Sequence, residues 1–262
     1  MKIESLSKSF GKKPILKEID LTIKKGKLTA FIGPNGAGKS TLLASMSRLI
    51  GIEAGHIYLD GQELKAFKSR ELAQKLAILK QMNHLNMQIS VRELVAFGRF
   101  PYSKGQLTAN DQTKIQTAIE QLGMQDLADD NIQNLSGGQL QRAYIAMILA
   151  QDTDYILLDE PLNNLDMNYA LQMMQLLQNL VRDYGKTVVI VLHDINFAAS
   201  FADDIVAMKS GTIFAHDKTT NIINEPVLND LYDMTISIEE IDGKEFCLYF
   251  YSILTIITKI RK

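Results

Sequence analysis

The sequence predicts an α/β protein built on a parallel sheet, with an antiparallel opening region and a helical insert. Two observations carry this. Leu28–Ile32, Tyr155–Leu158 and Thr187–Leu192 are short uncharged runs, apolar but for Thr29 and Thr187, as parallel strands covered on both faces should be. Each run ends on polar or glycine-rich chemistry: Gly33 onward, Asp159-Glu160, and His193-Asp194. In open parallel sheets ligands bind at the carboxyl ends of strands, so three distant segments should converge on one site.

Taken in order, residues 2–7 alternate loosely and predict an edge strand. Ile57-Tyr58-Leu59 before Asp60-Gly61 predicts a strand entering a tight turn. Leu42, Leu43 and Met46 fall at helical spacing after the first apolar run. A short helix over 69–76 and a strand at Ala77-Ile78-Leu79, ending near Gln81, follow. The polar, turn-like stretch Asn83–Asn86 then opens the helical insert, about 84–150. Within it, Val91–Phe97 reads as helix, and so does Asp111–Leu122, with Ile115, Ala118, Ile119 and Leu122 on one face. Gln139–Ala150 is a third helix, with Ile145, Ile148 and Leu149 apolar. Ala170–Arg182 should turn Leu171, Met174, Leu177, Leu180 and Val181 inward. We expect one domain over 1–222 and an extension over 223–262: a helix at Glu225–Tyr232, a strand at Thr235–Ile241, a turn at Asp242-Gly243, and a returning apolar run.

At 262 residues, 46% hydrophobic and 22% charged, the composition is that of an ordinary globular protein. A formal net charge of −2 gives no broad basic field for nucleic acid. The one cysteine, Cys247, excludes an intramolecular disulfide framework and fits a reducing compartment. The opening Met1–Ser5 lacks the apolar core of a signal peptide. The longest uncharged apolar run, Phe246–Thr258, is shorter than the roughly 18–20 residues of a spanning helix. Its β-branched and aromatic residues predict strand. Any service to a membrane must therefore pass through partner chains.

Gly33-Pro34-Asn35-Gly36-Ala37-Gly38-Lys39-Ser40-Thr41 fits the P-loop pattern, between a strand and a helix as that motif requires. Glycines let backbone N–H groups turn inward as an anion cradle, and the following helix adds its partial positive charge. Lys39 can reach the β- and γ-phosphates, and the Ser40 hydroxyl can ligate Mg²⁺. Asp159-Glu160, closing an apolar strand, is a Walker B arrangement in which Asp159 holds Mg²⁺ and Glu160 orients and deprotonates the attacking water. The bland alternative is an acid pair starting a helix before Pro161. Ser136 and Gln139 form a capping box. A cap does not need Gly137-Gly138, whose amides can approach a phosphate. Since the chain has its own phosphate loop, this second one suits a nucleotide held by another copy. His56, His84 and His216 lie in loop-like stretches without metal-ligand spacing. Met167, Met173 and Met174 read as packing.

Leu135-Ser136-Gly137-Gly138-Gln139 with Gln141-Arg142 resembles the signature motif of ATP-binding cassette (ABC) ATPases, and the resemblance covers nearly the whole chain in order. It implies a P-loop NTPase of the ABC ATPase type, with an antiparallel β subdomain and a helical insert subdomain. It assigns Phe10 to stacking on adenine, where the family more often has Tyr. Gln81 becomes the Q-loop glutamine linking the Mg²⁺ site to the transmembrane partner, although Lys80 stands where relatives often have Pro. Leu165-Asp166 becomes the D-loop that crosses a dimer interface. His193 becomes the switch histidine touching the γ-phosphate. Two such domains would sandwich two Mg-ATP, each between one P-loop and the opposite signature motif.

A single cassette resembles the separate ATPase subunit of a bacterial importer. Val91–Tyr102 and Asp159–Met167 resemble the iron-siderophore, haem and cobalamin uptake branch. The implied partners are a second ATPase copy, two transmembrane permease subunits and, indirectly, an extracytoplasmic substrate-binding protein. The implied location is the cytoplasmic face of the cell membrane. A separate-subunit exporter is the nearest alternative. A soluble P-loop kinase would have no use for the signature motif, and an ATP-driven clamp on nucleic acid suits neither the acidic balance nor the single cassette. The tail Leu254–Lys262 continues past where relatives' last strand normally ends.

Overall fold

The computed structural model describes residues 1–80, 87–103, 105–241 and 243–249. Gln81, His84, the stretch Asn83–Asn86 and the tail Leu254–Lys262 lie outside them.

The chain opens with an antiparallel hairpin, β1 (Lys2–Phe10) and β2 (Lys13–Thr22), then β3 (Leu28–Ile32), α1 (Lys39–Met46), β4 (Ala54–Leu59) and β5 (Gln62–Glu63). Four of these strands form one antiparallel sheet in the order β2-β1-β4-β5. β1 is therefore an interior strand, not the expected edge. Its register slips against both neighbours, and those irregularities blur the alternation by which its two-sided pairing could have been recognised. Between β4 and β5, Asp60 and Gly61 both adopt positive φ, 49° and 82°, the conformation of a type I′ hairpin.

A second sheet organises the rest. After α2 (Ser69–Lys75) and β6 (Leu76–Leu79) come the helices α3 (Val91–Ala96), α4 (Phe100–Ser103), α5 (Ala109–Gln121) and α6 (Gly137–Gln151). The chain returns as β7 (Tyr155–Asp159), α7 (Met167–Tyr184), β8 (Thr187–Val191), α8 (Ile195–Phe201), β9 (Asp204–Lys209) and β10 (Thr212–Lys218). The six-stranded order is β10-β9-β3-β8-β7-β6, parallel except for the antiparallel β10. Phe31, Leu157, Val189, Val191 and Val206 pack on α1 and the antiparallel sheet. Leu28, Ala30, Ile32, Ile156, Leu158, Val188 and Ile190 pack on the helices of the other face. Two covered faces explain why these strands carry no polar alternation.

The last described elements are α9 (Thr219–Ile222), α10 (Glu225–Tyr232) and the hairpin β11 (Ser237–Ile241) with β12 (Lys244–Leu248). Only Phe246–Tyr249 of the apolar run from Phe246 is described, and of these Phe246–Leu248 are strand. Leu228, Leu231, Ile236 and Cys247 join the larger core rather than forming one of their own.

Four residues are placed otherwise than expected. Leu171 is 41% exposed, and Met173 takes the inward place on α7. Met167 is 84% exposed and packs on nothing within the chain's core. His56 and His216 lie in β4 and β10 rather than in loops, and His56 Nδ1 pairs with Glu63 Oε1 at 2.8 Å.

Two polar anchors hold the helices between β6 and β7. Arg99 and Asp111, both buried, pair at 2.8 Å, and Arg99 Nη1 donates to Ala150 O at 2.8 Å. Asp152, the left-handed cap of α6, is gripped by Lys114 of α5 and by Lys186 just before β8, each at 3.0 Å. Among the described residues, no helix is long and apolar enough to cross a membrane.

Candidate nucleotide site

The carboxyl ends of β3, β7 and β8 lie side by side, because these strands are neighbours in the order β3-β8-β7. Gly33, Asp159-Glu160 and His193 are thus brought together by topology. Gly33, Gly36 and Gly38 have φ of 136°, 78° and 102°. A Cβ on Gly33 would sit 2.1 Å from Met208 O on β9, so only glycine fits there. At Gly36 a Cβ would meet nothing within 4 Å, and Asn35 and Gly36 face solvent. The loop is packed at its base and open at its crest.

Lys39 is buried and folds back into the loop, donating to Gly33 O at 2.7 Å and Pro34 O at 3.0 Å. Burial pushes its ammonium below the ordinary lysine range, against the opposing pull of Glu160 and Asp159. Ser40 Oγ donates to Asp159 Oδ1 at 2.8 Å. α1 begins at Gly38 without a side-chain cap. By contrast α3, α5, α6, α7, α8 and α10 are capped by Ser90, Thr108, Ser136, Asp166, Asp194 and Asn224. The first amides of α1 are left for an anion. A hydroxyl beside a carboxylate, next to a cationic loop, also fits Mg²⁺, which takes few protein ligands and keeps waters.

Glu160 follows β7 with φ of 51°, a conformation that costs a non-glycine residue energy and turns its side chain to the site. His193 Nε2 lies 2.6 Å from Glu160 Oε1, and Asn163 Nδ2 donates to Glu160 Oε2 at 2.8 Å. The acid-pair alternative is set aside: Asp159 belongs to the strand, and Glu160 heads a turn in which Asn163 N bonds Glu160 O at 3.3 Å. Asn163 had no sequence signal separating it from Asn164; the turn alone decides which one reaches the carboxylate.

Phe10 is 55% exposed at the end of β1, with Lys8 Nζ 5.4 Å from its ring centroid. Its hairpin partner β2 runs against the loop: Ile15 O and Leu16 Cδ2 lie within 3.2 Å of where a Gly38 Cβ would be. Thr41 falls within the first turn of α1. The capping box of Ser136 and Gln139 is present, at 3.3 and 2.8 Å. Ser136 and Gly137 are exposed, with Leu135, Gly138 and Gln139 partly so. A Cβ on Gly138 would lie 3.0 Å from Asn164 O, and Gln141 Nε2 donates to Pro161 O at 3.0 Å. The signature segment therefore abuts the turn holding Leu165 and Asp166. Asp166 Oδ1 also caps α7 by accepting from Tyr169 N at 2.9 Å, a local duty that the resemblance did not imply. Gln81 lies outside the described residues.

The ABC transporter family model matches residues 16–163, more than half of the chain. This chain belongs to the ABC transporter family. Family members bind ATP with Mg²⁺, and this one is an ATPase coupled to transport. Its relatives include the petrobactin import ATP-binding protein YclP of Bacillus subtilis (strain 168), 52% identical over 95% of this chain and 99% of the relative. The iron(3+)-hydroxamate import ATP-binding protein FhuC of the same organism is 38% identical over 94% of this chain and 93% of its own. Among solved structures, a dimeric bacterial ABC transporter cassette superposes with TM-score 0.76 at 30% identity, over 83% of this chain and 98% of its own. A post-hydrolysis dimeric cassette bound to ADP and Pi gives 0.75 at 31%, with the same coverage. The ABC ATPase fold expected from sequence is thus observed.

Proposed function

We propose that this chain is the ATP-hydrolysing subunit of a bacterial ABC importer that energises uptake of an iron(III)-siderophore. The single observation that carries the cargo is the 52% identity, over nearly the full length of both chains, to a petrobactin import ATP-binding protein. The hydrolytic role is supported by the carboxylate of Glu160 held between His193 and Asn163 beside the phosphate loop.

When bound, Mg-ATP supplies a γ-phosphoryl group whose charge is already partly neutralised. The loop Gly33–Thr41 would hold the phosphates through the amides that follow Pro34 and through the Lys39 ammonium, the face of Phe10 would carry the adenine, and Ser40 and Asp159 would hold Mg²⁺. Glu160 orients the attacking water and takes its proton. His193 and Lys39 then stabilise transferred charge. The exposed segment Leu135–Gln139 serves the nucleotide of a second copy, with Leu165-Asp166 at the contact between copies. Gln81 and Val91–Tyr102 pass closure to two permease subunits, and an extracytoplasmic binding protein delivers the cargo. The chain would work peripherally at the cytoplasmic face of the membrane. We read 1–222 as the ATPase domain and 223–262 as its extension.

Growth of a deletion strain on single iron sources tests the cargo, with haem and cobalamin as controls. Loss of growth on ferric siderophore alone is expected. Loss confined to haem or cobalamin would overturn the siderophore assignment.

A further inference from the structure

The extension reaches back to the phosphate loop. Tyr232, the last residue of α10, accepts a hydrogen bond on its hydroxyl from Gly33 N–H at 3.1 Å. Gly33 is consequently held on three sides. Its N–H meets Tyr232, Met208 O occupies the space a Cβ would need, and its carbonyl accepts from Lys39 Nζ. The end of α10 that carries Tyr232 is itself fixed. Leu228 and Leu231 are fully buried. Lys209 Nζ donates to Asp230 O and pairs with Asp233 Oδ1. Asn229 Oδ1 accepts from Ile236 N at 2.6 Å. The following hairpin is clamped to α8: Asn196 Oδ1 accepts from Cys247 N at 2.8 Å, and Asn196 Nδ2 donates to Cys247 O at 3.3 Å. The same segment thus bonds the first glycine of the phosphate loop and the helix that follows His193.

We propose that Tyr232 is a positioning residue for nucleotide binding, its hydroxyl oxygen fixing the Gly33 peptide so that Lys39 and the loop amides are held in one arrangement. The proposal rests on the ATPase reading above. Gly33 is buried, and a buried N–H that loses its acceptor loses it to no solvent. The loop must then shift to satisfy that N–H, and nucleotide binding must reverse the shift. A loss in the affinity of the loop for phosphates follows, with chemistry at Glu160 largely untouched. Burial pushes the Tyr232 phenol up to about 12, so the hydroxyl stays neutral and the effect should not vary between about pH 6 and 9.

The test is Tyr232→Phe, which keeps the ring and the packing, in the full-length protein. We expect KM for ATP and Kd for Mg-ATP to rise roughly 10-fold, as for an orphaned buried donor. kcat should change by less than about 2-fold, and the melting temperature should stay close to wild type. Ile119→Val, which trims the buried face of α5 and touches nothing that holds Tyr232, should lower the melting temperature and leave KM alone. Equal KM shifts in both variants, or a wild-type KM and Kd in Tyr232→Phe, would overturn the role. Amide hydrogen exchange gives a check that needs no variant: Gly33 N–H should be protected in the nucleotide-free wild-type protein, and rapid exchange there also overturns it. A wild-type protein that neither binds nor hydrolyses Mg-ATP would instead sink the ATPase reading, which separates the two failures.

Discussion

Glu160 carries the sharpest expectation at the residue scale. Its carboxylate is fixed by His193 and Asn163 and its backbone is strained at φ 51°. Glu160→Gln keeps the shape and both neighbours but cannot take a proton. Hydrolysis should fall by about 10²–10⁴-fold, the usual worth of a positioned base. Mg-ATP binding should survive, and size-exclusion chromatography with Mg-ATP should show a trapped dimer. A variant hydrolysing at the wild-type rate would remove the role. Lys39→Ala takes away the buried cation of the loop, and equilibrium binding should show the loss of Mg-ATP affinity. Lys39, Ser40, Asp159, Glu160 and His193 were legible because each sits at a fixed offset from an apolar strand end. Asn163 and Tyr232 were not. The first depends on how one turn folds, and the second meets a partner 199 residues away, where spacing in sequence carries no information.

At the scale of elements, the start of α5 shows one side chain serving two structures. Asp111 closes a capping box with Thr108 and also pairs with Arg99 across to the region before α4. Hydrogen bonds from Thr108, backbone first, and then the Arg99 guanidinium lower its carboxyl to about 2. A carboxyl lowered on folding contributes stability that is fully present above its unfolded value, near 3.8, and lost as pH falls through the folded one. Acid titration followed by circular dichroism should therefore show an apparent loss of stability between about pH 4 and 2 that Asp111→Asn flattens, with Asp111→Asn less stable at neutral pH. In this region α5 and α6 were readable from their apolar faces, and α6 also from its capping box, whereas α4 was not expected. β2 and β10 carried no comparable signal. β2 interleaves charged residues with its buried ones, and β10 is an exposed edge. Leu171 misled because the buried stripe of α7 is set by the sheet it packs on, which favours Met173.

For the whole molecule, the extension is part of the main core through Leu228, Leu231, Ile236 and Cys247. Truncation after residue 222 should lower the melting temperature sharply or leave the protein insoluble, whereas an independent appendage would come away without cost. The proposed permease contact has its own check. Phe97 and Phe100 are 48% and 61% exposed beside α4, and the carbonyls of Pro101 and Tyr102 are held by Arg70 at 2.6 and 2.8 Å. Phe100→Asp should abolish co-purification with the permease while the isolated subunit keeps its ATPase rate.

The grip on Asp152 by Lys114 and Lys186 has a mechanical meaning. It closes one end of α6, and the segment Leu135–Gln139 opens the other. With 15 residues, α6 is about 22 Å long, and its face from Ala143 to Ala150 is buried in the core. Each degree of tilt about the Asp152 end carries the far tip about 0.4 Å along an arc. Moving Ser136 and Gly137 by the length of a hydrogen bond therefore takes a tilt of about 8°, one that the helices packed on α6 must share.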